Sequence, residues 1–254
     1  MRRILILVLT VAIALSISCT AHAQTEVTLI APGGIRAAVE KLIPGFEQKT
    51  GYKVKPTFGS GVGTKKRVTQ GDVFDVPIVQ PPYPEVLASG NVVESSATPL
   101  ASVAVGVVVK QGTPRPDIST ADAVKKMLLS AKSITYPSAS GGAAAGVSID
   151  AMLKRLGIYD EVQPKIKPAA GGAAVSAMAG KGEVEIGMTF ISEMDAPGID
   201  IVGPLPQEAL PWTVLVGFVH THAKNPEAAK ALLQYLSSPE AAAVYKTLGM
   251  QPAK

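Results

Sequence analysis

The stretch TFGSGVGTKKR, Thr57 to Arg67, joins a strand pattern to a helix pattern through a glycine-rich loop. Before the loop, Tyr52, Val54 and Phe58 alternate with polar residues, as in a half-buried strand. After it, a short helix is predicted over Lys65 to Gln70. Three interpretations follow: a phosphate-binding loop of a nucleotide enzyme, a flexible linker with a charged tail, or the wall of a pocket for a small free anion.

The nucleotide interpretation fails on spacing. A P-loop requires Gly, four residues and then Gly-Lys-Ser/Thr, but counting from Gly59 the second glycine position is Thr64. The dinucleotide fingerprint Gly-x-Gly-x-x-Gly also fails, because Gly59, Gly61 and Gly63 are each two residues apart.

Similar junctions recur outward along the chain, where strand patterns alternate with helix patterns. This order predicts an α/β fold with mostly parallel sheet. Small or glycine-rich residues link strand to helix at four places, namely APGGI (31–35), FGSGVGT (58–64), YPSASGGAAAG (136–146) and PAAGGAAV (168–175). Such loops lie at the carboxyl ends of the strands, where helix N-termini offer free N–H groups to an anion.

Each of these features also has a purely structural interpretation. A single glycine loop is typical of a tight turn, and Ser60, Ser138 and Ser140 are typical helix N-caps. Lys65 to Arg67 resemble a solvated helix face. However, four loops in register favour a shared site, and Lys65 lies in the first helical turn, where a cation opposes the helix dipole. This placement indicates that Lys65 faces a ligand.

The first 23 residues have the layout of a secretory signal peptide. A basic start precedes the apolar run Ile4 to Ile17, and Ala21 to Ala23 form an Ala-x-Ala cleavage pattern. We therefore predict export and cleavage after Ala23. Lipid attachment at Cys19 is the less favoured alternative, because Ser16 stands where such signals usually have Leu.

Cleavage would leave a mature chain of 231 residues with 22 basic and 20 acidic side chains, a net charge of +2. So small a charge argues against nucleic-acid binding, which requires a dense basic face. The mature chain would contain no Cys, which suits an oxidising compartment but supplies no disulfide framework. We expect no cofactor and no metal site.

Two apolar strands divide the chain. Residues 101–110 and 213–220 are predicted to cross between two lobes. Residues 24–100 and 221–254 would then form the first lobe, and residues 101–220 the second.

Over nearly the whole mature chain, the sequence resembles periplasmic substrate-binding proteins of ABC importers with the type II fold, and within them the molybdate-binding group. The order of four segments carries the resemblance: VTLIAPGGIRAAVEKLIPGFEQKTGYKV (27–54), TFGSGVGTKKRVTQGDVFDV (57–76), GKGEVEIGMTF (180–190) and NPEAAKALLQYLSSPEAAAVYKTLGMQPA (225–253). The resemblance implies a two-lobed fold with mixed, mostly parallel sheets joined by two crossover strands.

In the molybdate binders, serine hydroxyls, backbone N–H groups and a tyrosine hold the oxyanion. The resemblance places Ser60 at the second-loop serine, but Gly34 and Phe190 stand where a serine and the tyrosine are expected. Two lost donors should weaken the binding of a tetrahedral oxyanion. Space at Gly33 and Gly34, together with Lys65, favours a larger organic carboxylate, and molybdate is the alternative ligand. The predicted ligand-binding residues are Gly33, Gly34, Ser60, Gly61, Lys65, Ser138, Ser140, Gly141, Gly172, Phe190 and Ser192.

Other function classes remain open on the residues alone. His220 and His222 raise the possibility of an enzyme or a metal site, although two His at this spacing on a strand end are more often structural. No Ser-His-Asp order or paired-acid motif appears, so an enzyme is not expected. A ligand sensor feeding a membrane kinase would use the same lobe closure. The favoured partners are a small anion and an importer permease, with the chain acting as a monomer.

Overall fold

The computed structural model describes residues 25–253, so the predicted signal peptide, its cleavage site and Cys19 lie outside the described residues. This range forms ten strands and nine α-helices. The strands are β1 (Glu26–Pro32), β2 (Lys53–Gly59), β3 (Val76–Val79), β4 (Thr98–Val103), β5 (Val105–Lys110), β6 (Ile134–Thr135), β7 (Ile186–Phe190), β8 (Ile199–Pro204), β9 (Thr213–Gly217) and β10 (Gln251–Pro252). The helices are α1 (Arg36–Thr50), α2 (Gly61–Thr69), α3 (Pro84–Ala88), α4 (Ala121–Ser130), α5 (Ala144–Arg155), α6 (Tyr159–Val162), α7 (Gly172–Lys181), α8 (Pro226–Leu236) and α9 (Pro239–Thr247).

The first sheet has six strands in the order β10-β4-β9-β3-β1-β2. β1 is buried on both faces, with Leu29 in the core that includes α1 and α8 and Ile30 in a smaller core that includes α2 and α3. A strand that is covered by helices on both faces has mostly apolar residues along its length, which explains the apolar sequence of β1. Phe46 of α1 is fully buried in the larger core, and each such side chain stabilises the fold by about 1.5–3 kcal/mol.

The second sheet has four strands in the order β6-β7-β5-β8. Helix α7 packs on this sheet through Val175 and Ala179, which share a buried cluster with Val108 of β5. Helix α5 packs against β7 of the same sheet. The second sheet therefore has its own helical cover and forms the second of two lobes.

The predicted α/β class with two lobes and mixed sheets is confirmed, but the expectation of mostly parallel pairing needs a correction. β1–β2, β1–β3 and β6–β7 are parallel, whereas β3–β9, β4–β9, β4–β10, β5–β7 and β5–β8 are antiparallel. The reason is that β4 and β9 connect to the other sheet rather than through a helix to a neighbouring strand. Parallel pairing of consecutive strands requires a crossover connection, usually a helix, and these strands lack it.

The chain passes between the two sheets at two points. β4 lies in the first sheet and β5 in the second, so the first passage is at Ala104. β8 and β9 also belong to different sheets, so the second passage falls within residues 205–212. Strand membership thus assigns residues 98–103 and 213–217 to the first sheet, although the predicted second lobe, 101–220, includes part or all of each range. The lobe boundaries stay a proposal.

Candidate functional site

Four loops that are distant in sequence meet around one cavity of about 210 Å³ between the two sheets. Two loops follow β1 and β2 of the first sheet, and the other two lead into α5 and α7 of the second lobe. The lining residues are Pro32, Gly33, Gly34, Gly59, Ser60, Gly61, Pro137, Ala143, Ala144, Ala145, Ala170, Gly171, Gly172, Phe190 and Glu193. The cavity therefore draws on both lobes.

The N-termini of three helices lie at this cavity. Gly61, Ala144 and Gly172 line the cavity and are the first residues of α2, α5 and α7. The first N–H groups of an α-helix have no partner within the helix, and each N-terminus carries a partial positive charge of about half an elementary charge. Three such termini from two lobes make a site suited to an anion.

Glycine allows two of the loops to approach side chains of the second lobe. A Cβ added to Gly34 would lie 2.8 Å from Cδ2 of Phe190, and one added to Gly33 would lie 2.8 Å from Oε1 of Glu193. A Cβ on Gly172 would also overlap the Glu193 side chain. These glycines are needed because any larger residue would displace the cavity wall.

The structure brings six of the predicted site residues together around the cavity. They are Gly33, Gly34, Ser60, Gly61, Gly172 and Phe190. Ser60 also caps α2, since its Oγ accepts the N–H of Gly63 at 3.0 Å. This cap leaves the hydroxyl proton of Ser60 available to a ligand. Ligand contact by these six residues stays a prediction.

Lys65 lies elsewhere, and its placement counts against the prediction that it faces the ligand. Its ammonium group donates to the carbonyl of Pro82 at 2.6 Å and lies 3.4 Å from a carboxylate oxygen of Glu85. Lys65 is also not among the cavity-lining residues. The physical reason is that α3 packs against α2, so that Pro82 and Glu85 offer the long side chain nearer oxygen atoms.

The other predicted residues sit beside the cavity without lining it. Ser138 and Ser140 share a hydrogen bond of 2.8 Å between their hydroxyls, and Ser138 Oγ also accepts the N–H of Gly141 at 3.2 Å. These three residues shape the loop before α5. Ser192 Oγ donates to the carbonyl of Gly34 at 2.8 Å and so links the two lobes at the edge of the cavity.

Glu193 is a cavity residue that the sequence analysis missed. It ends the short 3-10 turn Ile191–Glu193 directly after β7, and its Oε2 accepts a hydrogen bond of 2.7 Å from Thr189 Oγ1. Burial raises the pKa of the Glu193 carboxyl, and the hydrogen bond from Thr189 offsets only part of this rise. An acid within three residues of a buried strand's carboxyl end was the available sequence signal.

The two histidines lie away from the cavity. His220 is buried, forms a bridge with Val92 and accepts the N–H of His222 on Nδ1 at 3.0 Å. Burial, and secondarily the charge of His222, lowers the pKa of His220. Neither histidine lines the cavity, so this pair gives no support to an enzyme site there.

Residues 25–253 contain no group of three or more His, Cys, Asp or Glu side chains placed to hold a metal ion. Across the same range, none of the helices combines the length and apolar character needed to cross a membrane.

Residues 27–251 match the family described as bacterial extracellular solute-binding protein, and the chain belongs to this family. Its resemblance to the molybdate-binding group of periplasmic binding proteins is confirmed by relatives of both sequence and fold.

Among these relatives, an aconitate isomerase from a Pseudomonas species is 33% identical over 242 residues, which cover 91% of this chain and 90% of the relative. The molybdate-binding protein ModA of Azotobacter vinelandii is 28% identical over 247 residues and 91% of both chains. A solved periplasmic molybdate-binding protein from Azotobacter vinelandii superimposes with a TM-score of 0.74, covering 90% of this chain and 100% of that one at 18% identity.

Proposed function

We propose that this protein is exported to the periplasm, where it acts as a monomer that binds a small organic carboxylate between its lobes and delivers it to the permease of an ABC importer. The observation that carries this proposal is the cavity lined by helix N-termini from both lobes. Closure of two lobes around a ligand is a common way for such proteins to sequester it from water.

We expect the anion to bind without a positively charged side chain as its partner. The lining residues of the described chain include no Lys or Arg. Affinity would therefore come from backbone N–H groups and the helix dipoles, helped by the hydroxyl of Ser60. Such donors suit a carboxylate as well as an inorganic oxyanion.

The size of the cavity favours an organic ligand over a tetrahedral oxyanion. Its 210 Å³ corresponds to roughly seven water molecules at about 30 Å³ each. Gly34 and Phe190 add space and an apolar surface rather than hydroxyl donors, which suits a carbon skeleton. The relative whose name includes aconitate, a tricarboxylate, supports this class, whereas the molybdate-binding relatives keep molybdate as the alternative.

Titration calorimetry of the mature chain with a ligand panel tests the proposal. The panel contains trans-aconitate, citrate, tricarballylate, succinate, molybdate, sulfate and phosphate. We expect one-to-one binding of at least one carboxylate, with molybdate at least about tenfold weaker. Tighter binding of molybdate than of every carboxylate would replace the proposed ligand by the alternative, and no binding in the whole panel would reject an anion-binding function.

A second candidate function is isomerisation of aconitate, and Glu193 is the observation that favours it. Aconitate has a methylene group next to a carbon–carbon double bond. A base can remove a methylene proton, the double bond then shifts, and the proton returns to the former double-bond carbon. Glu193 is the titratable side chain among the lining residues of the described chain, and burial poises it for proton exchange.

Proton nuclear magnetic resonance separates the two candidate functions. Catalytic amounts of the mature protein are incubated with cis-aconitate in deuterated water. The isomerase candidate requires growth of the trans isomer with deuterium incorporation, and loss of both in Glu193→Gln. A spectrum that matches a protein-free control for many hours leaves binding and delivery as the function.

A further inference from the structure

Glu193 places a carboxyl group inside a cavity that is otherwise built for an anion. Its Oε2 is engaged by the hydroxyl of Thr189 at 2.7 Å, and its Oε1 lies beside Gly33. Gly172, the first residue of α7, flanks the same carboxyl group. The carboxyl thus sits between two of the loops that would contact the ligand, with one oxygen left for a further interaction.

No cation from the surrounding elements neutralises this carboxyl. The turn Ile191–Glu193 packs against α1, α7, β5 and the 3-10 turn Gly33–Ile35. The charged side chains of these elements are exposed or paired with groups other than Glu193. In α1, Lys41 is exposed, Glu47 pairs with Lys53, and Lys49 pairs with Glu240. Arg36 pairs with Glu40 at 2.8 Å, and Lys181, near the end of α7, lies 3.8 Å from Glu183.

The other charged groups near Glu193 do not neutralise its charge either. Lys110 is exposed at the last position of β5, and Asp195, two residues after Glu193, is exposed on the surface. Ion pairs within residues 25–253 do not include Glu193. An ionised Glu193 would therefore face a bound anion with no intervening positive side chain.

Two negative charges in one poorly solvated cavity repel, and a shared proton relieves the repulsion. We propose that Glu193 binds the anion as a neutral carboxylic acid, which donates a hydrogen bond from Oε1 to a ligand oxygen. One proton then enters the site with each ligand, so affinity falls as the pH rises. This inference rests on the proposed function of anion binding and assigns Glu193 the role of the cavity's side-chain donor.

The same inference separates the two candidate functions. A protonated Glu193 cannot act as a general base, so it cannot remove a methylene proton from the ligand. Proton uptake on binding therefore favours capture and delivery over isomerisation. The burial that raises the pKa of Glu193 supports this assignment, because it favours the neutral form of the carboxyl group.

The test is calorimetry with trans-aconitate, and with succinate as a second probe, from about pH 7 to about pH 8.5, where ordinary carboxyl groups stay ionised. Titrations in two buffers of different ionisation enthalpy count the protons taken up. The variants are Glu193→Gln, whose amide donates without titrating, and Glu161→Gln, an exposed glutamate of the same lobe that serves as the control.

We expect the wild-type protein and Glu161→Gln to take up close to one proton and to lose up to about tenfold in affinity per pH unit, as linkage requires. Glu193→Gln should take up none and vary by less than about twofold. Binding without proton uptake, or equal pH profiles in wild type and Glu193→Gln, would overturn the inference and leave the proposed function standing.

Two further outcomes are also decisive. If no anion of the panel binds at any pH, the proposed function fails and the proton-coupled site fails with it. If Glu193→Gln does not fold, as judged by its melting curve, the two-buffer measurement on the wild-type protein decides alone.

Discussion

Two carboxyl groups, Asp75 in the first lobe and Glu193 at the cavity, have pKa values that are shifted in opposite directions. Asp75 accepts the N–H of Thr28 at 2.8 Å, the hydroxyl of Thr28 at 2.7 Å and the N–H of Asn225 at 2.9 Å. Burial alone would raise the pKa of Asp75, but these hydrogen bonds outweigh it and lower the pKa. Glu193 has the single donor Thr189, so burial prevails and its pKa is raised.

The number of hydrogen-bond donors, rather than burial, therefore decides the role of each of these two acids. Asp75 is saturated and ties β1, the start of β3 and the N-terminus of α8 together, which is a structural role. Glu193 keeps an oxygen unengaged in a cavity, which is a binding role. The largest consequences should therefore appear in stability for Asp75 and in ligand affinity for the residues around Glu193.

The largest expected effect is the loss of stability in Asp75→Asn. The amide would place a donor against the donors of Thr28, and charge-assisted hydrogen bonds are worth about 1.5–3 kcal/mol each. We expect the free energy of unfolding at pH 7 to fall by about 3 kcal/mol in urea denaturation. An unchanged urea midpoint would remove Asp75 from this role.

The pH dependence of the same substitution follows from the lowered pKa of Asp75. A depressed pKa contributes stability above the unfolded value, about 3.9, and that stability is lost as the pH falls through the folded pKa. The difference between wild type and Asp75→Asn should therefore narrow below about pH 4.

The next effect is on affinity, in Gly172→Ala. The added methyl group overlaps Glu193 and pushes it into the cavity. We expect trans-aconitate to bind about 30-fold more weakly, which corresponds to about 2 kcal/mol. Ala173→Ser is the matched control, because it adds one atom at the next position of α7, which is exposed and does not line the cavity. Equal losses in the two variants would contradict the assigned wall.

A smaller effect of opposite sign is expected for the stability of Glu193→Gln. A folded pKa above the unfolded value favours folding below the unfolded pKa, and the stability is lost as the pH rises through the folded pKa. The ionised group therefore costs stability at neutral pH, and the amide variant should be more stable than wild type at pH 8 and about equally stable near pH 4. Urea denaturation at both values checks this, and a loss of stability at pH 8 would refute it.

The smallest change in ligand affinity is expected from loss of the hydrogen bond that joins the two lobes. Ser192→Ala removes the hydrogen bond of 2.8 Å to the carbonyl of Gly34. We expect about fivefold weaker ligand binding, since one neutral hydrogen bond contributes about 1 kcal/mol. Ser237→Ala, which removes an exposed hydroxyl bound to Gln234 within α8, should leave affinity unchanged.

The sequence predicted the parts of the site that depend on the backbone. Glycines directly after β1 and β2 and before α7 must lie at sheet edges, so Gly33, Gly61 and Gly172 were identifiable from order alone. The directions of strand pairing were harder to predict. The orientation of β4 and β9 depends on the passages between the sheets at Ala104 and residues 205–212, which the local sequence pattern does not specify.

The contacts that side chains make in the fold could not be predicted from the local sequence pattern. Lys65 was assigned to the cavity because of its position in α2, but its length lets it reach the carbonyl of Pro82 and the carboxylate of Glu85. Glu193 resembles an ordinary polar residue after a strand, and its position in the cavity depends on contacts with Gly33 and Gly172 that lie far away in sequence.

Native mass spectrometry shows whether helix N-termini from both lobes hold a small organic anion in one cavity. The mature wild-type protein and Gly172→Ala are purified without denaturation after growth on mixed carboxylates. We expect a stoichiometric adduct with the mass of an organic acid on the wild type and its depletion in the variant. An adduct of an inorganic oxyanion, of a neutral solute or of a cation would contradict it.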